Sequence, residues 1–224
     1  MSIAMSLPFS TGEFLDVFGA YNSALWPAVA AFWIVTIAVI IAWLRVGRMP
    51  RVICALLAAH WAWSGIAYHY VFFRRINPAA TLFGVLFVLE AVLFIWLARR
   101  SRGAFAIAKS LRGLTGGILI LCALLYPALG FGFGLRYPRM PLFAVPCPTE
   151  LLTAGMLLVS SGIPRIVYIV PLIWAVVGSS AALSLGIRAD MALVAAAVLL
   201  ALDLFLPQVL GGRIQQREQE QLPH

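Results

Sequence analysis

The chain has 224 residues, of which 63% are hydrophobic and 11% are charged, and its mean hydropathy is +0.99. A soluble globular domain is excluded, because so few charged side chains cannot cover such long apolar runs, whereas hydrocarbon solvates each run that forms a helix. The net charge of +8 comes mainly from basic residues between these runs, which favours anionic lipid headgroups and argues against nucleic acid as a partner. We therefore expect an all-α polytopic membrane helix bundle.

A short amphipathic helix is predicted near the start of the chain, at about residues 11–22. Thr11 is a plausible N-cap, and Phe14, Val17 and Phe18 share one helical face. A helix of this kind lies at the membrane interface with its apolar face toward the lipid. The segment lacks the basic region and continuous apolar core of a cleavable signal peptide, so we expect the N-terminus to be retained.

Seven apolar stretches follow, and each is a candidate transmembrane helix. The fifth has 15 residues before Pro164, which gives about 22 Å of helix, so we predict a short span or a re-entrant half-helix there. The pattern predicts a single transmembrane domain over residues 1–210 and a polar cytoplasmic tail over 211–224. The spans are placed at about residues 26–45, 52–73, 79–98, 113–134, 149–163, 166–186 and 190–210.

Basic residues predict the orientation of the bundle, because cytoplasmic loops carry an excess of lysine and arginine. With the N-terminus outside and the C-terminus inside, eleven of the 16 Lys and Arg residues face the cytoplasm. The acidic Glu13 and Asp16 then lie outside. The eleven inner residues are Arg45, Arg48, Arg51, Arg99, Arg100, Arg102, Lys109, Arg112, Arg165, Arg213 and Arg217.

Three ionisable residues inside the predicted spans are candidates for a gate or proton relay, because such residues are costly in hydrocarbon. His60 and Glu90 lie at similar distances before and after the turn at Ile76, so they are predicted to approach each other near the midplane. Asp203 lies one turn before Pro207, toward the cytoplasmic end. The alternatives are a hydrogen bond between His60 and Glu90 that only fixes packing, and an interfacial position for Asp203.

The outer end of the second span carries three residues that we predict to contact a solute, namely His69, Tyr68 and Asn77. Tyr68 and Tyr70 are also typical of an aromatic belt at the membrane interface, which needs no ligand. A belt explains His69 less well, because its ring offers a polar group where a solute would enter. Asn77 precedes Pro78, which closes the turn to the third span.

Four outer arginines run against the preference for basic residues on the cytoplasmic side. Arg74 and Arg75 follow the second span, and Arg136 and Arg139 belong to the proline-rich loop before the fifth. Two interpretations remain open. The arginines bind lipid phosphate at the helix ends, or the two loops converge to attract a small polar or anionic solute.

The cysteines do not form a recognisable metal or redox motif. Cys54, Cys122 and Cys147 lie far apart, without CxxC spacing. His60 and His69 point to opposite faces of a straight helix, so they cannot share one metal ion. The remaining candidates for a metal or haem ligand are Cys147 and His69, and no cofactor is predicted.

Two segments, YHYVFFRRINPAATLFG and RYPRMPLFAVPCPTELLTAG, resemble those of an uncharacterised bacterial multi-pass inner-membrane family, a domain of unknown function. The resemblance extends over nearly the whole chain, from FLDVFGAYNSALWP to the last span. It implies residence in the bacterial inner membrane. It implies no activity, and no catalytic residue follows from it.

The sequence favours binding and transport of a small polar or anionic solute through a pocket that opens outward. The first alternative is a membrane anchor or accessory subunit that packs against a partner membrane protein or a second copy of the chain. The second is a membrane-embedded metal- or haem-binding protein. Motifs such as HExxH and GxSxG are absent, which disfavours the enzyme classes that use them.

Overall fold

The computed structural model describes residues 7–100, 104–105 and 110–211. The predicted tail after Gly211 lies outside the described residues, as do Arg102 and Lys109. A two-residue strand, β1 (Ala104–Phe105), pairs antiparallel with β2 (Ser160–Ser161). The α-helices are α1 (Thr11–Val46), α2 (Pro50–Trp63), α3 (Ala80–Arg100), α4 (Leu111–Leu124), α5 (Tyr126–Gly132), α6 (Pro146–Leu158), α7 (Ile169–Leu185), α8 (Ala192–Phe205) and α9 (Pro207–Gly211).

Short non-α helical segments extend several of these helices. A π-helical segment, Ser64–Phe72, and a 3-10 turn, Phe73–Arg75, continue α2. The 3-10 turn Arg165–Tyr168 precedes α7, and the turn Arg188–Met191 connects α7 to α8. The prediction of an all-α protein is confirmed.

Within the described part of the chain, four helical segments are long and apolar enough to cross a membrane, and such apolar helices indicate a membrane protein. The count becomes five if α4 and α5, which are bent by 71° at Leu125, form one span. Seven spans are not confirmed, because α6 has 13 residues and α8 has 14, and each measures only about 20 Å at 1.5 Å per residue. The four segments are Thr11–Val46, Pro50–Arg75, Ala80–Arg100 and Arg165–Leu185.

The prediction of a separate interfacial helix at residues 11–22 is wrong, since these residues are the first turns of the 36-residue α1. Ser10, and not Thr11, is the N-cap, and it forms a capping box with Glu13. Pro27 lies inside α1 without ending it, which packing in a bundle permits. Phe18 is 2% exposed, so the apolar face of this segment packs against other helices rather than on the lipid surface.

Close contacts at two pairs of glycines hold the centre of the bundle together. A Cβ atom at Gly65 would lie 2.9 Å from the carbonyl oxygen of Gly84, which brings the π-helical segment against α3. A Cβ atom at Gly155 would lie 2.7 Å from the carbonyl oxygen of Gly116, which brings α6 against α4. Small residues at helix crossings allow this approach. Every residue of α6 is buried, so this short helix is surrounded by protein.

The bundle has two ends that matter for function. At the Asn77 end, the start of α1 meets the turn after the π-helical segment, where the rings of Phe9 and Phe73 are 5.4 Å apart. The starts of α3 and α6 lie at the same end. At the opposite end, called the Arg112 end, the start of α4 meets the ends of α6 and α8 through Arg112.

The proline-rich loop between α5 and α6 folds back into the bundle at the Asn77 end. The side-chain amide of Asn22 donates hydrogen bonds of 2.7 Å to the carbonyl oxygens of Pro138 and Met140. The carbonyl oxygen of Ala144 accepts hydrogen bonds from the hydroxyls of Tyr21 and Ser64. These contacts attach the loop to α1 and to the π-helical segment, and they fix where α6 begins.

Two neighbouring glycines of α4 provide a test of the central packing. In Gly116→Ala, the new methyl group would lie 2.7 Å from a methyl carbon of Val159, and overpacking of this kind costs about 1–3 kcal/mol. We expect the melting temperature in detergent to fall by about 5 °C. In Gly117→Ala, the methyl group meets nothing within 4 Å, so stability should stay the same or rise. Equal effects of the two changes would contradict this account of the crossing.

Candidate functional site

A cavity of about 320 Å³ lies at the Asn77 end of the bundle. The starts of α1, α3 and α6 line it, together with the π-helical segment, α7 and the 3-10 turn between α7 and α8. Its volume is typical of a small-molecule site. Most of the wall is apolar, and much of it is aromatic, from Phe14, Phe18, Tyr68, Phe73, Phe83 and Trp174.

Five buried polar atoms in the wall of this cavity have no hydrogen-bond partner. They are both ring nitrogens of His69, the hydroxyl of Tyr68, Oδ1 of Asp190 and Nε1 of Trp174. The side chains are almost fully buried, with exposures of 0% for His69, 2% for Tyr68 and 4% for Asp190. Burying a polar group without a partner costs free energy, so such groups are rare in folded proteins. Their presence around one cavity indicates a place for a ligand.

The π-helical segment places His69 and Tyr68 in the cavity wall. π-Helical segments are rare and are often found at functional sites. The His69 ring is held by aromatic neighbours, with ring centroids 4.7 Å from Phe87 and 5.0 Å from Trp174. These contacts orient the ring edge-on and leave its nitrogens free of protein partners. The Tyr68 ring stacks on Phe18 of α1 at 5.3 Å.

Asn77 also lines the cavity, but its side chain already has a structural role. Its Oδ1 accepts a hydrogen bond of 3.0 Å from the backbone N–H of Ala79, an Asx turn that shapes the connection to α3. Of the predicted solute-contacting residues, the structure therefore brings Tyr68, His69 and Asn77 to one cavity.

Asp190 is the functional candidate that the sequence reasoning missed. It lies in the connection between α7 and α8, outside the candidate membrane-spanning helices, and burial raises its pKa from 3.8 to about 7. The available signal was an acidic residue in the short apolar connection IRADMAL. Asp190 was not among the candidates because it stands at the first position of the last predicted span, and the structure shows that it is buried.

None of the four predicted arginines lines the cavity. Arg74 lies over the Tyr70 ring at 4.0 Å, and the Arg75 Nε donates to the carbonyl oxygen of Val71. The other cluster is engaged within its own loop and with α1. Arg136 donates to the carbonyl oxygens of Phe131 and Leu135, and Arg139 forms an ion pair of 2.7 Å with Asp16.

The structure does not pair His60 with Glu90. His60 faces α1, where its Nε2 forms a hydrogen bond of 2.9 Å with the hydroxyl of Thr36 and its ring stacks on Phe32 at 4.2 Å. The next residue, Trp61, turns to the other side of α2 and donates to Thr153 of α6. Both carboxyl oxygens of Glu90 are buried without a hydrogen-bond partner. Similar depth in the bundle therefore did not bring the two side chains onto facing surfaces.

Glu90 instead lies within electrostatic range of a second fully buried carboxyl group, Glu150 of α6. Neither Glu150 oxygen has a hydrogen-bond partner. The two glutamates come from α3 and α6, and each of these helices forms one of the two glycine contacts described above. They lie outside the wall of the cavity.

Asp203 belongs to an ion pair at the Arg112 end of the bundle, whereas the cavity lies at the Asn77 end. Arg112 approaches both of its carboxylate oxygens, at 2.6 and 2.7 Å, and the hydroxyl of Tyr168 donates to it at 3.0 Å. Bidentate pairs of this kind fix geometry strongly. Asp203 therefore has a structural role, because its ion pair joins α4 to α8. None of the described hydrogen bonds or ion pairs of Asp203 is with His60 or Glu90.

Cys147 and His69, the residues considered for a metal, both line the cavity. Among the described residues, no group of three or more His, Cys, Asp or Glu side chains is placed to hold a metal ion. The cavity residues taken together offer one carboxyl group, one imidazole, one phenol and one thiol on an aromatic wall. Such a set suits hydrogen bonding to an organic molecule.

A model of a protein family matches residues 11–216 of the chain. The chain belongs to the DUF6064 family, a family of unknown function. The matched region contains Tyr68, His69, Asn77 and Asp190, so these cavity residues lie within the DUF6064 region of the chain. Comparisons with curated proteins and with solved structures gave no match.

The ion pair between Arg112 and Asp203 provides a test of the packing at the Arg112 end of this DUF6064 protein. In Arg112→Ala, Asp203 is left buried without its partner, and breaking such a pair costs about 3 kcal/mol. We expect the melting temperature in detergent to fall by about 6–12 °C. The matched control is Arg139→Ala, which breaks an ion pair that is more than half exposed and should cost about 0–1 kcal/mol. The assignment fails if the two variants melt alike.

The buried carboxyl group of Asp190 gives the second test, in the absence of ligand. Because its folded-state pKa is raised, its favourable contribution to stability is present below about pH 4 and is lost as the pH rises toward about 7. Tyr68, His69 and Cys147 share the cavity with Asp190, and Arg188 lies in the same turn.

We expect Asp190→Asn to raise the melting temperature by several degrees at pH 8 and by less at pH 5. Comparison of the variant with the unaltered protein at each pH removes the contributions of the other titrating groups. A stabilisation of the same size at both pH values would show that Asp190 is not titrating in a buried site.

Proposed function

We propose that this protein is a multi-pass protein of the bacterial inner membrane that binds a small molecule in the cavity at the Asn77 end. The ligand has an apolar body and one polar end. The observation that carries the proposal is the set of unpartnered polar atoms of Tyr68, His69 and Asp190 in an otherwise apolar and aromatic cavity. A ligand that supplied the missing hydrogen bonds would remove the cost of burying these atoms.

The character of the wall defines what the ligand must offer. An apolar body would displace water from the rings of Phe14, Phe73 and Phe83, and burial of apolar surface contributes about 25 cal/mol per Å². The polar end would face Asp190 and His69. Small-molecule sites combine these same features, a mostly apolar wall with a few convergent polar groups.

Transport of the ligand is a further part of the proposal. The cavity lies at one end of the bundle, which suits a site that loads from one side of the membrane. With the N-terminus outside, the Asn77 end faces outward and most of the basic residues lie near the Arg112 end. Glu90, with Glu150 beside it, is the group that we propose as a gate or proton carrier below the cavity.

The outer arginines take a separate role in this proposal. Arg74, Arg75, Arg136 and Arg139 would bind the phosphate groups of anionic lipids at the outer interface. The guanidinium groups of Arg74 and Arg136 lie there over the rings of Tyr70 and Phe131. This role agrees with their position outside the cavity wall and removes them from direct contact with the ligand.

Filling the cavity is the direct test of binding. Ala181 of α7 lines the cavity, so Ala181→Trp should occupy part of its volume. The matched control is Leu183→Trp on the same helix, at a position that is 64% exposed. The probe is benzyl alcohol, measured by equilibrium dialysis with the protein in nanodiscs of zwitterionic lipid, after subtraction of the uptake by empty nanodiscs.

We expect saturable binding of one benzyl alcohol per protein in the unaltered chain and in Leu183→Trp. In Ala181→Trp the affinity should fall by about tenfold or more, because the ring and the ligand compete for the same space. An absence of saturable binding, or affinity that Ala181→Trp leaves unchanged, would overturn the proposal.

A further inference from the structure

We propose that the cavity selects an organic cation, an amine or ammonium group carried on an aromatic or aliphatic body. This inference rests on the proposed function, because it names the class of ligand that the same cavity takes. Three independent features of the wall point to it: its charge, its aromatic faces and the hydrogen-bonding character of its free polar atoms.

The charge on the wall has one sign. Among the described residues that line the cavity, Asp190 is the one acidic side chain and none is Arg or Lys. Oδ1 of Asp190 is buried without a partner. A buried carboxylate without a counter-charge is unfavourable, and a ligand cation beside it would supply that charge. An anionic ligand would face this carboxyl group with no Arg or Lys side chain in the cavity wall to offset it.

Aromatic rings line several sides of the same space. Phe14 and Phe18 come from α1, Phe73 from the turn before α3, Phe83 from α3 and Trp174 from α7. The face of an aromatic ring carries partial negative charge and attracts a cation within about 6 Å, an interaction that strengthens when water is excluded. A wall built from rings on four elements can therefore surround an ammonium group and still accept its apolar body.

The remaining polar atoms suit the N–H groups of an amine. The hydroxyl oxygen of Tyr68 and an unprotonated ring nitrogen of His69 can each accept a hydrogen bond, and neither has a protein partner. A primary ammonium group has three N–H donors, one for Asp190 and two for these acceptors. Nε1–H of Trp174 remains to bind a neutral acceptor, such as a hydroxyl, elsewhere on the ligand.

The titration of Asp190 agrees with this arrangement. In the empty cavity, burial raises its pKa to about 7, so near neutral pH the carboxyl group is readily protonated. A bound cation favours the ionised form and releases that proton. The carboxyl group is therefore more fully ionised with a cation beside it than without one.

The experiment compares three ligands that share one body and differ in charge. Benzylammonium, benzyl alcohol and phenylacetate are measured against the protein at pH 7.5 in zwitterionic nanodiscs, with empty nanodiscs subtracted. We expect benzylammonium to bind at least about tenfold more tightly than benzyl alcohol, and phenylacetate to bind most weakly.

Two aspartate variants locate the source of the preference. Asp190→Asn should abolish the preference for benzylammonium over benzyl alcohol, and a cooperative thermal melt in detergent shows that the variant is folded. Asp16→Asn removes the same charge at the same end of the bundle, from an exposed residue outside the cavity, and should retain the preference. In Phe83→Leu, benzylammonium should lose more affinity than benzyl alcohol does.

The outcomes separate this inference from the proposed function. If benzyl alcohol binds as tightly as benzylammonium, or phenylacetate binds best, the inference is overturned while small-molecule binding stands. If the preference survives in Asp190→Asn, the inference is also overturned. If none of the three ligands binds saturably, both proposals fall. If Asp190→Asn does not fold, the order of the three ligand affinities in the unaltered protein still tests the inference.

Discussion

Close backbone contact between α4 and α6 is the constraint on which the rest of the structure depends. Gly116 and Gly155 leave no room for side chains where these helices cross. Helices α2, α7 and α8 also pack against α6, so every residue of α6 is buried. A helix of 13 residues is too short to span hydrocarbon by itself, and the neighbouring helices shield its ends. With α6 held inside the bundle, its first residues, Pro146 and Cys147, become part of the wall of the cavity.

The molecule treats its buried polar groups in two different ways. At the Arg112 end, Asp203 is satisfied by Arg112 and Tyr168, which makes this a stabilising junction between helices. At the Asn77 end, His69 and Asp190 are equally buried but have free polar atoms beside a cavity. Glu90 and Glu150 also have free buried oxygens, but His69 and Asp190 differ from them in lining a cavity that has room for a ligand.

The apolar runs made a helical membrane fold predictable. The aromatic and polar residues at the outer end of the second predicted span made part of the candidate site predictable. Tyr68, His69 and Asn77 line one cavity because they lie close together along the chain at one helix end. Asp190 was missed because its burial depends on how α7 and α8 pack. It also lies more than 100 residues away from His69 in sequence. The depth argument placed His60 and Glu90 at one level, but depth does not fix the direction in which a side chain points around its helix.

Helix length was the other limit of the sequence. Hydropathy does not give the length of a helix, so α8 was predicted as a full span of residues 190–210 although it has 14 residues. The short fifth stretch was predicted as a short span or a re-entrant half-helix, and α6 has 13 residues there. The amphipathic start of α1 was read as an interfacial helix for a similar reason, because burial against Phe73 and Tyr68 gives the same pattern as burial in lipid.

The most direct measurement is a density map of the protein purified in native lipid from its own membrane, at a resolution that shows side chains. A ligand site at the Asn77 end requires non-protein density in the cavity, in contact with Tyr68, His69 and Asp190. A map with these side chains hydrogen-bonded to one another or to protein backbone, around a closed and empty space, would contradict it.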